Sequence, residues 1–88
     1  MRVVVIDATR KGAGLEYEVQ MRVDGVPHTG HVSLIPEDNV WTYDSSFMAP
    51  LKEAPFAPRA VIDVIHDFHE GKNVSFPVDL GDFEQRRV

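Results

Sequence analysis

"LEYEVQMRVDGVPHTGHVSLI", residues 15–35, is the stretch that decides the fold. Leu15, Tyr17, Val19, Met21 and Val23 alternate with Glu16, Glu18, Gln20 and Arg22. A sustained period of two marks a half-buried strand. The run stops at Asp24–Gly25, a dipeptide that accepts the positive φ angles of a type I′ hairpin turn. Taking that two-residue turn literally sets a register. Val23 faces Val26, Met21 faces His28, Val19 faces Gly30, Tyr17 faces Val32 and Leu15 faces Leu34, all on one face. The other face pairs Gln20 with Thr29, Glu18 with His31 and Glu16 with Ser33. This register sorts apolar from polar, and a slip of one residue would mix them.

Working outward, "PEDN" (36–39) suits a four-residue loop around a type I turn. Pairing Ile35 with Val40 then sets Trp41 opposite Leu34, Thr42 opposite Ser33 and Tyr43 opposite Val32, a short strand over 40–43. "RVVVIDA" (2–8) is a strand with apolar residues on both faces, linked onward by "TRKGAG", where Gly12 and Gly14 permit positive φ. Either parity leaves two apolar side chains, Val3 and Val5 or Val4 and Ile6, on an otherwise polar outer face, so its register stays open.

"PRAVIDVIHDFHEGK" (58–72) is the one long helix: Pro58 suits its first position and Gly71 its C′ position. Val61, Val64, Ile65 and Phe68 form its apolar stripe, widened by Ile62. "VSFPVDL" (74–80) alternates as a strand, and Pro77, which has no N–H to donate, makes it an edge strand. Residues 83–88 read as a polar tail that frays, after a single domain over 1–82. Between the fourth strand and the helix lies "DSSFMAPLKEAPFA" (44–57), where Pro50, Pro55 and the nearby Pro58 discourage regular structure. Its Phe47, Met48, Leu51 and Phe56 are either the binding surface for a partner protein or the cover over one edge of the core.

The element order is β-β-β-β-α-β. It predicts an α+β fold, a two-layer sandwich of a mainly antiparallel sheet with one helix on one face. The order of three strands, a helix and a strand resembles that of HicB-type antitoxins, an order that many small α+β folds share.

Composition narrows the function classes. The chain has no cysteine, which excludes a disulfide scaffold and any thiolate metal site and suits a reducing compartment. The apolar run before Asp7 is too short for a signal peptide or a membrane span, so a cytoplasmic protein without membrane attachment is expected. The net charge is −5, and apart from Arg10–Lys11 and Arg86–Arg87 the basic residues are scattered. That disfavours nucleic acid, whose phosphates call for a clustered basic surface.

The four histidines form two H-x-x-H pairs, His28/His31 and His66/His69. In a strand, residues three apart point to opposite faces, so His28 falls inward and His31 outward beside Glu18. His66 and His69 are neighbours on the helix, and their place in its last turns suits the helix dipole without any metal. His28 can meet His69 at the layer edge if Gly30 leaves room. The residues show no nucleophile elbow and no phosphate-cradling loop ahead of a helix. The expected function is therefore a small non-enzymatic interaction or regulatory module, antitoxin-like or inhibitor-like, with no cofactor. It is expected to form a homodimer through the apolar strip on the outer face of the first strand. The alternative is a metal-binding protein using His66 and His69, with His28 as a third ligand.

Overall fold

The computed structural model describes residues 1–12 and 14–86. Ala13 of the glycine link, Arg87 of the basic pair and Val88 at the end of the expected tail lie outside the described residues. The strands are β1 (Arg2–Lys11), β2 (Glu16–Val23), β3 (Val26–Ile35), β4 (Val40–Tyr43) and β5 (Val78–Asp82). The helices are α1 (Ser45–Met48), continued by a 3-10 turn over Ala49–Leu51, and α2 (Ala57–His69). The strands form one antiparallel sheet in the order β4-β3-β2-β1-β5.

The central hairpin has the register that the alternation predicts. Val23 pairs with Val26, Met21 with His28, Val19 with Gly30 and Tyr17 with Val32. Leu34 N–H donates to the Leu15 carbonyl at 2.8 Å. Asp24 and Gly25 have φ of 50° and 82°, both positive as a type I′ turn requires. The pairing of β3 with β4 also follows the expected register, from Ile35–Val40 to Val32–Tyr43.

The open register of β1 is settled with a bulge, and one of the two expected apolar pairs stays on the outer face. Val5 pairs with Met21 and Asp7 with Gln20, so Ile6 is the extra residue. Val3 and Val5 point into the core before the bulge, and Ala8 does so after it, because one inserted residue switches the parity of everything beyond it. Val4 and Ile6 are left half-buried on the outer face.

Two expectations near the C-terminus are corrected. The last strand spans 78–82 instead of 74–80, so Pro77 precedes it, although Val74, Phe76, Val78 and Leu80 are all half-buried, as their alternation predicts. The tail is hydrogen-bonded back to the rest of the chain as far as Arg86. Phe83 N–H donates to the Met1 carbonyl at 2.7 Å, and Arg86 N–H donates to the Glu53 carbonyl at 2.7 Å.

The single-helix expectation is also corrected, because residues 44–57 are not a structureless loop. Asp44 caps α1 by accepting from Phe47 N–H at 3.0 Å. Pro50 lies at the start of the 3-10 turn and Pro58 at the start of α2, where a missing N–H goes unused. Pro50 and Pro58 each open a helical segment instead of breaking one, while Pro55 lies in the turn between them. α2 ends as expected at Gly71 (φ 78°). Lys72 N–H donates to the Asp67 carbonyl and Gly71 N–H to that of Phe68, the paired bonds of a Schellman cap.

One core joins sheet and helices. Val3, Val5, Val19, Met21 and Val32 from the strands meet Phe47, Leu51, Ala54, Ala57, Val61 and Ile65. The tightest approach is over Gly30. A methyl group placed there would stand 2.5 Å from Phe47 Cα and 2.7 Å from Phe47 Cβ, well inside van der Waals contact. Gly30→Ala is therefore expected to destabilise the protein by about 2 kcal/mol or more through overpacking. Gly25 has open space around it, and Gly25→Ala is expected to cost about 1 kcal/mol from backbone strain alone. Urea melts of the two variants check the difference, and equal losses would contradict the close approach.

Candidate interaction site

The site is built where β4 ends the sheet. Asp44 N–H donates to the His31 carbonyl at 3.2 Å, which makes His31 and Asp44 a hydrogen-bonded pair of the ladder. Such pairs alternate along antiparallel strands, so Val40 and Thr42 also bond toward β3. The N–H and C=O groups of Trp41 and Tyr43 consequently point away from the sheet.

Trp41 lies at the centre of an aromatic and histidine cluster beneath α2. Its ring is 6.0 Å from Tyr17 and edge-on to His66 and His69 at 6.2 and 5.9 Å. Trp41 Nε1–H donates to His66 Nδ1 at 3.2 Å. An indole can only donate, so His66 Nδ1 is the acceptor and Nε2 carries the proton facing Glu70 Oε1 at 2.7 Å. Tyr17 Oη and His69 Nδ1 share a hydrogen bond of 2.8 Å. Between β4 and α2 an open groove of about 360 Å³ is lined by Asn39, Trp41, Arg59, Ile62, Asp63 and His66. It offers an indole and an isoleucine as apolar floor, with a charged rim.

The residues singled out from the sequence are not gathered here. Phe47 and Leu51 are fully buried in the core and present no side-chain surface to a partner, while Met48 is half-buried. Phe56 is 72% exposed and lies beside Glu84 and Arg86 of the C-terminal segment. The room foreseen above Gly30 for His28 and His69 is filled by Phe47. His69 is held by Tyr17, four residues along β2 from the Met21 that faces His28, or roughly 13 Å at strand spacing. Among the described residues, no group of three or more His, Asp or Glu side chains is placed to hold a metal ion.

On the opposite face a polar chain crosses the sheet. Lys11 Nζ is 3.1 Å from Glu18 Oε2. His31 Nε2 is 3.9 Å from the same carboxylate, and His31 Nδ1 is 3.0 Å from Asp44 Oδ2. The expected Glu18–His31 cross-strand pair is thus present. Asp44 is the residue that the sequence reading missed. The Ser46 hydroxyl, donating at 2.7 Å, with the Phe47 and His31 amides, holds its carboxyl well below the usual carboxylate range. Lys11 likewise lowers Glu18.

No helix among the described residues is long and apolar enough to cross a membrane. The chain matches no protein-family model and no curated protein sequence. What the site offers chemically is an open row of backbone donors and acceptors beside an aromatic groove.

The Asp44 cap gives a signed pH prediction. Its carboxyl titrates lower in the folded state, so its contribution is complete above the ordinary aspartate range, near pH 4, and fades as the pH falls below it. Asp44→Ala is expected to lose about 1 kcal/mol near neutral pH. Urea melts across pH should show wild type and variant converging on acidification, and a gap that stays constant into acid would contradict the role.

Proposed function

We propose that this protein is a small non-enzymatic interaction module, a regulator of the antitoxin or inhibitor kind, that binds an extended segment of protein along the free edge of β4. The observation that carries the reading is the contrast between β4 and β5, the outermost strands of the sheet. The β5 edge is guarded: Pro77 precedes it, Leu80 bulges from it, and Asp79 is tied to Arg2. Prolines, bulges and charges are the usual protections against strand addition. β4, Val-Trp-Thr-Tyr, is protected by its shortness alone: it carries no proline, bulge or charge and pairs with β3 in unbroken register.

A free edge beside a helix-lined groove supports strand addition, in which main-chain bonds supply affinity and alternate side chains enter the groove. Trp41 and Tyr43 supply the bonds, while Trp41 and Ile62 supply the apolar floor. The strand is short, so only a matched segment of a few residues gains the full set of bonds. The cysteine-free chain suits a cytoplasmic setting.

Selection of a random displayed-peptide library on dilute protein tests this. Selected peptides are expected to be extended with alternating apolar residues. They should shift the amide resonances of Val40–Tyr43 and the Trp41 indole, and lose binding to Thr42→Lys. Peptides that map to other residues, or no selected peptides at all, would overturn the reading.

A further inference from the structure

Resting on that reading, we infer that the segment filling the β4 edge is the β4 strand of a second copy of this chain. The edge is self-complementary. Its outward N–H and C=O groups belong to Trp41 and Tyr43, two residues apart. Antiparallel pairing of two β4 strands about a two-fold axis at Thr42 places Trp41 of each chain opposite Tyr43 of the other. This register uses all the outward groups of both residues and makes the interface isologous.

The side chains agree with the same register. Trp41 and Tyr43 lie on the face of β4 that carries α2, and a two-fold axis normal to the sheet keeps that face common to both copies. Each Tyr43 then lies beside the other chain's Trp41, a cross-strand aromatic pair of a favourable kind. It enters the groove floored by Trp41 and Ile62, where Arg59 and Asp63 at the rim can meet its hydroxyl. Tyr43 is 49% exposed within one chain, and Val40 equally so. The pairing covers both and joins the two sheets into one.

The competing location for a dimer is the outer face of β1. There the apolar strip is Val4 and Ile6, one of the two pairs that the sequence allows, and both are already half-buried. Around these two residues the backbone is already engaged, since β2 pairs along β1 and β5 pairs with it from Arg2 to Val5.

Sedimentation equilibrium is expected to give twice the chain mass of 9.9 kDa for wild type. Thr42 is exposed and its side chain lies on the opposite face from the groove, so it can be changed without disturbing the core. Thr42→Lys and Thr42→Glu each place like charges face to face at the axis and are expected to be monomers with unchanged circular dichroism. Mixed in equal amounts they are expected to recover the dimer mass, because the opposed charges then attract. A Thr42→Lys protein that remains dimeric, or a mixture that stays monomeric, would overturn the inference. A monomeric wild type whose edge still takes selected peptides would overturn the second copy alone. A monomer that takes no peptide would overturn the interaction reading with it.

Discussion

The structure depends on the absence of a side chain at Gly30. The residue sits in the middle of β3 on the core face, and the backbone of α1 comes down onto it at Phe47. Any larger residue would lift α1 off the sheet. Asp44 holds the approach from the other side, pairing with His31 through its backbone and side chain while capping α1. The chain leaving β4 therefore turns onto the core face at a single residue. Phe47 and Leu51, both fully buried, each contribute about 1.5–3 kcal/mol of apolar burial on that path. Ala54 and Ala57, also fully buried, are small enough to keep the following chain close.

That path determines what β4 becomes. Because residues 44–57 run back over β3, they do not cover the edge of β4. α2 then crosses near Trp41, and two of its histidines close around the indole. The result is a strand paired on one side and flanked by a groove. β5, at the other end of the sheet, differs: it carries a bulge, a neighbouring proline and an ion pair. The outer face stays polar, crossed by the Lys11–Glu18–His31–Asp44 chain.

The hairpins were legible because alternation and turn chemistry act at short range. Asp24–Gly25 and the period of two leave one register that separates apolar from polar. The bulge at Ile6 left no trace, since a run of valines reads the same in either parity. Residues 44–57 cover the core, one of the two readings that the sequence allowed, but their helical turns were missed because prolines were taken as breaks, whereas Pro50 and Pro58 each sit where a helical segment begins. A signal was present: Phe47, Leu51, Ala54, Pro58, Val61, Ile65 and Phe68 follow one another at steps of four and three, a helical stripe running through the prolines. Asp44 stands three residues ahead of it, where a cap belongs. The histidines were rightly placed on their elements. Their partners were not readable, because the Trp41–His66 and Tyr17–His69 contacts join residues 25 and 52 positions apart. The groove depends on the same long-range packing.

Amide hydrogen exchange along β4, followed residue by residue as the protein is diluted, tests the central claim most directly. Val40 and Thr42 bond toward β3 and should be protected at every concentration. Trp41 and Tyr43 face outward and should be protected in concentrated protein and exchange freely in dilute protein. Protection of all four amides that does not change on dilution would contradict the account, as would free exchange at Trp41 and Tyr43 at every concentration.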